Sequence, residues 1–510
     1  MSDEPDSKDS VLYDGDCPMC RAFVARLDQT DKPDSLRFDN FRDRGLPQGI
    51  QPEAAEIAMH FIDEHGHVYR GAEAVLHTLQ KYPKYAWLGR FGLLPGVRVL
   101  ANLAYPVIAR NRFLLFGPYQ TLYLTKLLLS LGFLIPMFIA SKLWLGDSFR
   151  LFPLAPIASW LPAISYPIDV VIYVLLMGLL TAIFFLPNAR LILVTFLVSG
   201  LLYSLWDQNR WQPYNYLFAA MLLVLATVPW ARRPSPEWAI HGVPQTRRLL
   251  GLLTASVWFW SGLQKCNGIY MTVGAPWLLE PLGKHLPQWG QTALGWLGAG
   301  GPLLEIAGAL LLLSRRFRRA GVVLLTLMHL FVLLAIGPLG RNINFTVWPW
   351  NAVMVLFCWL LFWPDRDSRA ADYLAPCNLL HGLLGVLFGV MPIFNFFGSW
   401  DDYLSHSLYS WRTLQAEVVF SAPPVFEAMP GVIRASARAQ DNTEILHLNS
   451  WAYLELESPV FPSERVFRRV LQRVCELSQN SPSVSLRVFS RPQFFGSKRM
   501  TTTFTCQDVI

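Results

Sequence analysis

Two cysteines separated by Pro-Met in Asp14-Gly15-Asp16-Cys17-Pro18-Met19-Cys20 form the one short stretch whose spacing names a chemistry. A CxxC that follows an apolar strand and opens a helix reads as a redox pair. A thiol at that point faces unpaired backbone N–H groups and the positive helix end. Both favour the thiolate, the form that attacks disulfides. Cys17 is the expected nucleophile and Cys20, one turn deeper, the resolving partner. Asp14 and Asp16 act in the opposite sense, because nearby negative charge raises a thiol pKa. Two other readings stand beside this one. A CxxC can be half of a zinc site, with His60, His65 and His67 as further ligands, but no second CxxC follows, so no metal is expected. The pair can also be two inert packing cysteines.

A second group of reactive types lies in apolar surroundings, where an ionisable side chain is costly and therefore a functional candidate. Lys265 ends the run Trp258-Phe259-Trp260-Ser261-Gly262-Leu263-Gln264-Lys265, Glu305 is mid-run in Leu304-Glu305-Ile306, and His329 lies in Leu327-Met328-His329-Leu330. The runs holding Glu305 and His329 are joined by a short basic turn, so they are expected as antiparallel neighbours, and acid, histidine and lysine to share one polar pocket. The competing reading is a charge pair that only fixes helix packing. Lys126, one turn into its run, is expected to snorkel, with a structural role.

The elements that must position the cysteines are legible around them. Val11-Leu12-Tyr13 gives a strand, Gly15 permits the turn, and Arg21 to Leu27 is amphipathic. Strands are expected at 35–39 and 57–62, a turn at His65-Gly66 and a helix over 71–82, the element order of a small thioredoxin-like α/β domain. Residues 1–9 are expected to be disordered and 10–117 to form this domain.

Composition decides the rest. Of 510 residues 53% are hydrophobic and 15% charged, which points to a polytopic membrane protein. Lys and Arg number 14 against 16 Asp and Glu in residues 1–117, 18 against 9 in 118–397, and 11 against 11 in 398–510. The basic excess sits in the apolar middle, where it sets orientation and does not signal nucleic acid. Apolar runs near 122–141, 168–186, 190–206, 214–230, 247–265, 296–313, 318–337, 346–363 and 376–397 predict about nine helices in an all-α membrane core over 118–397. The acidic start Met1 to Asp6 has no apolar region of a cleavable signal peptide, so the first domain is expected in the cytoplasm. With that orientation inner loops carry Arg190, Arg232, Arg233, Arg247, Arg248, Arg315, Arg316, Arg318, Arg319, Arg366 and Arg369. The outer loops hold Lys142, Arg150, Arg210, Lys284 and Arg341. An odd span count puts the tail outside the cytoplasm. Residues 398–510 read as a small soluble α+β domain, with alternating runs at 415–421, 443–449 and 484–489 and a helix from Ser463 to Leu477. Cys475 and Cys506 either pair there or stay as two reduced core thiols.

The segment from Asp16-Cys17-Pro18-Met19-Cys20 through Tyr69-Arg70-Gly71-Ala72-Glu73-Ala74 to Tyr105-Pro106-Val107-Ile108-Ala109-Arg110-Asn111-Arg112 resembles the DCC-type thiol-disulfide oxidoreductases. The resemblance implies a redox-active thioredoxin-like domain. It departs from thioredoxins proper in having no proline directly before the 57–62 strand, where theirs clamps a peptide substrate. A second resemblance rests on Ser261-Gly262-Leu263-Gln264-Lys265, Leu304-Glu305-Ile306-Ala307-Gly308 and Met328-His329. These are similar to the transmembrane core of the vitamin K-dependent gamma-carboxylases and their bacterial relatives, the horizontally transferred transmembrane domain. That likeness implies a lysine base at Lys265 acting on a lipid-soluble, quinone-like molecule. A second carboxylase lysine is here Gln264, and peptidyl-glutamate carboxylation is not expected.

The first reading is therefore a multi-pass inner-membrane thiol-disulfide oxidoreductase that exchanges with a protein thiol or disulfide through Cys17 and Cys20. The second makes the membrane core a lysine-based enzyme supplied with electrons by the first domain. A hydrocarbon core of about 30 Å would then separate the two sites, so a diffusing carrier such as a quinone is required. The third is a non-enzymatic assembly or lipid-binding protein. Cys266 and Cys358 are read as packing cysteines ahead of relay thiols.

Overall fold

The computed structural model describes residues 8–30, 33–47, 49–230, 235–492 and 496–509. The chain divides into two compact units, one of residues up to Leu124 with Pro229–Val243 and one of Thr125–Val228 with Pro244 onward.

In the first unit a four-stranded sheet forms from β1 (Asp9–Tyr13), β2 (Leu36–Asn40), β3 (His60–Ile62) and β4 (Val68–Arg70), in the order β2-β1-β3-β4. β2 runs parallel to β1, while β3 and β4 are antiparallel to their neighbours. A parallel pair needs a crossover, and α1 (Pro18–Asp28) supplies it. Neighbouring residues of β1 point to opposite faces. Val11 joins one apolar cluster with Cys17 and Cys20, whereas Leu12 joins another with Phe41 and Ala55. The helices α2 (Phe41–Arg44), α3 (Pro52–Ile57), α4 (Ala72–Gln80), α5 (Ala86–Gly92) and α6 (Pro95–Phe116) complete the unit.

Two expectations shift here. The strand expected at 57–62 shrinks to His60–Ile62, because Pro52 starts a helical turn that runs through Ile57. Asp9, assigned to a disordered start, opens β1 as a buried residue; it pairs with Lys81 at 2.6 Å and accepts from the Glu64 N–H. Residues 1–7 lie outside the described residues.

Among the described residues, five helices are long and apolar enough to cross a membrane: Gln120–Ile139, Ile168–Phe185, Gln288–Leu313, Arg318–Ile336 and the Leu379–Phe397 stretch. Of the nine runs expected as spans these five pass on length and hydropathy, and the other four are not confirmed. The runs at 190–206, 214–230 and 346–363 are helical only over Arg190–Ser204, Pro213–Ala226 and Val347–Phe362, too short at about 1.5 Å per residue to reach across a hydrocarbon core of about 30 Å. The run at 247–265 lies in the helix Val243–Lys265, which carries Arg247, Arg248, Gln264 and Lys265.

Several charges expected in loops are interior. Arg150 bonds Asp207 at 2.5 Å, Arg210 donates to the Leu143 carbonyl at 3.0 Å, and Arg318 donates to the carbonyls of Leu312, Asp365 and Ser368. Lys126 does not snorkel; it is buried and its ammonium donates to the Leu186 carbonyl at 2.5 Å. Arg232 and Arg233 lie outside the described residues.

The last part of the second unit holds a five-stranded antiparallel sheet of β5 (Gln415–Phe420), β6 (Ala437–Gln440), β7 (Thr443–His447), β8 (Val484–Phe489) and β9 (Thr501–Thr505), ordered β6-β7-β5-β8-β9. The helix Glu464–Leu477 is capped by the Ser463 hydroxyl, which accepts from the Val466 N–H, and it buries Val466, Val470, Leu471 and Val474. Cys475 and Cys506 form a disulfide. This part is tied to segments that connect the apolar helices: the Glu455 carboxylate accepts the N–H groups of Leu151 and Phe152, and Asn209 accepts that of Phe461.

Candidate active site

The cysteine motif is a tight connection between β1 and α1. The Cys17 N–H donates to the Asp14 carbonyl at 3.0 Å, and the Asp16 N–H to the Asp14 carboxylate at 3.0 Å. Gly15 is fixed by close approach: its N–H donates to Asn40 Oδ1 at 2.9 Å, and a Cβ there would collide with the Asn40 amide. Pro18 takes the first helical position, where a missing N–H costs nothing. Cys17 is therefore the N-cap, and its Sγ accepts the Cys20 N–H at 3.2 Å.

Both thiols are free and both are buried, Cys17 completely. The hydrogen bond from the Cys20 thiol, with the Cys20 N–H and the charge of Arg112, outweighs burial and the charge of Asp14 and holds Cys17 down at about 7. Cys20 moves the other way. Its hydrogen bond to Cys17, its burial and the negative charge on Cys17 push it far above the ordinary thiol range. The two environments separate the roles: one sulfur carries the charge and the other keeps the proton.

Asp14 opposes the thiolate less than its position suggests, because it is matched. Arg42 Nε lies 3.1 Å and Arg112 Nη2 3.3 Å from its carboxylate. Arg112, from α6, is buried and also donates to the Ile57 carbonyl at 3.1 Å and to that of Glu56. It thus spans the chain before β3 and the cysteine turn. Sequence reasoning placed Arg112 within a family-like motif and gave it no role. The signal was an Arg-Asn-Arg run far from the cysteines, whose proximity only folding creates. Met59, directly before β3, donates its N–H to Tyr105 of α6 at 3.0 Å and packs in the same cluster as the cysteines. His60 is buried in β3, whereas His65 and His67 sit exposed at the β3–β4 turn, His67 3.1 Å from Asp63. Among the described residues, no three His, Cys, Asp or Glu side chains gather as metal ligands.

Residues 11–118 match the family model of the DCC1-like thiol-disulfide oxidoreductases. The match covers the sheet, the cysteine turn and α6 with Arg112, and ends before the first long apolar helix. No curated protein and no solved structure shows a significant match.

The second group of candidates meets in the second unit. Lys265, Glu305 and His329 line one cavity of about 430 Å³, together with Ser261, Trp258 and Asn351. Lys265 Nζ donates to Ser261 Oγ at 2.7 Å and to the two Glu305 oxygens at 2.7 and 2.8 Å. An ammonium has three protons, and these three bonds use them all. Gly262 makes the approach feasible, since a Cβ at that position would stand 2.6 Å from the Pro302 carbonyl. His329 is locked separately. Trp258 Nε1 donates to its Nε2 at 2.7 Å, so Nε2 is an acceptor and Nδ1 bears the proton, given to Asn351 Oδ1 at 2.7 Å. Asn351 turns its amide to the Val347 carbonyl, which fixes that orientation. Sequence reasoning missed Trp258, Ser261 and Asn351 as partners, although an asparagine in an apolar helix is a signal of the same kind as Glu305. Cys266 bonds the Gly262 carbonyl at 3.5 Å and Cys358 is buried.

Proposed function

We propose that the first unit is a thioredoxin-like thiol-disulfide oxidoreductase domain of a membrane protein, working through Cys17 and Cys20. The observation that carries this is the N-cap placement of Cys17, with its sulfur held by the Cys20 N–H at 3.2 Å and its pKa near neutrality. In the reducing direction the Cys17 thiolate attacks one sulfur of a partner disulfide, forming a mixed disulfide and releasing one partner thiolate. The Cys20 thiol then gives up its proton, which that thiolate takes, and attacks the Cys17 sulfur. The second partner thiolate leaves; two electrons have passed and Cys17–Cys20 is the new disulfide. Because Cys17 is fully shielded, exchange proceeds from a conformer in which its cover opens. The test is a redox titration of the full-length protein against glutathione, with free thiols trapped by an alkylating mass tag. A reversible two-electron transition between roughly −270 and −120 mV is expected; two thiols free at every ratio would remove the proposal.

The cavity favours a second reading, in which the membrane core acts on a lipid-soluble, quinone-like molecule as in the carboxylase-like family, with the first domain as electron source. An apolar chamber with a few convergent polar groups suits such a ligand. Because Lys265 is saturated, it can act as a base only after passing a proton to Glu305. Lys265→Ala would then abolish turnover in a protein that remains folded, and unchanged turnover would exclude it. A non-enzymatic assembly role predicts instead that Cys17→Ser and Cys20→Ser behave like the parent protein.

A further inference from the structure

Between Ala74 and Tyr119 the chain holds six Lys or Arg and no Asp or Glu. The same stretch carries a broad apolar surface. On α6, Leu100, Leu103 and Val107 are 68, 67 and 63% exposed, and their three- and four-residue spacing places them in one stripe. Val99 widens the stripe, and α5 adds Trp87 and Phe91, also exposed. The opposite face of α6 is the one built into the domain, through Tyr105, Ala109 and Arg112. Single exposed apolar residues are ordinary, but a contiguous face of this size marks an interaction surface.

Three observations name the occupant. Lys84, Arg90 and Arg110 stand exposed in the same stretch, which contains no Asp or Glu, and this suits lipid phosphates; Arg98, also exposed, lies 3.8 Å from Glu73. α6 ends at Phe116 and the first membrane-spanning candidate begins at Gln120. A link of this length reaches at most about 14 Å, so the end of α6 stays at the level where the chain enters the bilayer. Finally, α5 and α6 meet at 92°, which makes them two helices and not one straight span.

We propose that α5 and α6 lie along the bilayer surface, with the Leu100, Leu103 and Val107 stripe sunk to the acyl boundary and the basic residues among the phosphates. Interfacial helices combine these features, an aromatic and aliphatic face beside Lys and Arg. Arg112 and the cysteine turn occupy the far side of the same helix, about one helix diameter of 10–12 Å from the stripe. On the redox reading proposed above, exchange with a disulfide partner would then take place at the membrane surface. This placement rests on the chain entering a bilayer at Gln120–Ile139 and not on the redox reading, so inactivity of the cysteines leaves it standing.

The test uses the full-length protein in phosphatidylglycerol-containing liposomes, with Leu103 replaced by a fluorescent coumarin amino acid. The lipids are brominated at acyl carbons 6 and 7 or at 11 and 12. Quenching by the shallow bromines at least twofold stronger than by the deep ones is expected. The same reporter replacing Glu64, in the exposed β3–β4 turn, stays unquenched by either and serves as the water reference. Absence of quenching at Leu103 would place the stripe in water or under protein, and equal or stronger quenching by the deep bromines would make α6 part of a span; either result overturns the proposal.

Discussion

The cysteine turn and the cavity both bury charge, and they treat it in opposite ways. At the turn, Cys17 receives a backbone N–H and a neighbouring thiol, and the charge of Arg112 is shared with Asp14. The sulfur is stabilised as an anion without being fully matched by a cation. In the cavity, the Lys265 ammonium is saturated by Ser261 and both oxygens of Glu305, and His329 is saturated by Trp258 and Asn351. Such satisfaction fixes helices, whereas incomplete matching leaves a group ready to react. The contrast ranks the cysteine turn ahead of the cavity as a place where bonds change.

The largest effect that would break this ranking is on Cys17. Cys17→Ser is expected to reduce turnover of a small aromatic disulfide to background, followed by release of its coloured thiol. Cys20→Ser should instead accumulate a mixed disulfide, visible as an adduct by mass spectrometry. Turnover retained in Cys17→Ser would move the chemistry elsewhere. On the other side of the comparison, Glu305→Gln should destabilise the second unit by about 3–5 kcal/mol, because it leaves a buried ammonium unmatched. The pair Lys265→Met with Glu305→Gln should recover most of that loss in denaturant unfolding in detergent. A single variant as stable as the parent would mean that the ion pair is not a packing device.

Reducing Cys475–Cys506 should cost about 3–4 kcal/mol by the loop-entropy estimate for its 31-residue separation. The parent protein and Cys475→Ser, compared by thermal melts with and without reductant, measure this. A melting temperature indifferent to reductant would show that the bond does not bear on stability. The smallest effects sharpen the electrostatic account. The thiolate fraction of Cys17 rises with pH through about 7, so its iodoacetamide labelling should be slow at pH 5.5, half-maximal near 7 and flat above 8.5. Arg112→Ala removes a lowering influence, so labelling at pH 7 should fall by up to about fivefold, the loss of thiolate that a shift of up to about one pKa unit gives. An unchanged profile would assign the lowered pKa to the helix end and Cys20 alone.

Local features were readable without the fold. The Cys17 and Cys20 spacing, the strand before it and the Pro18 start of α1 all lie within about twenty residues, and local rules govern them. The amphipathic helix Glu464–Leu477 was legible for the same reason, since its face follows from a 3.6-residue period. The count of spans was less legible, because hydrophobicity shows that a segment is apolar but not how much of it is helix. Arg190–Ser204 and Pro213–Ala226 fell short on that point.

What the sequence alone determined is the type of each group and its nearest neighbours along the chain: two thiols at a helix start, three ionisable residues in apolar runs, and a basic middle. Tertiary structure decided which groups face each other. It brought Arg112 across 98 positions to Asp14, separated His329 from the Lys265–Glu305 pair inside one cavity, and sank Arg150, Arg210 and Lys126 into the interior. The physical reason is that a pKa or an ion pair depends on distances of a few ångströms between segments remote in sequence, and only packing sets those distances.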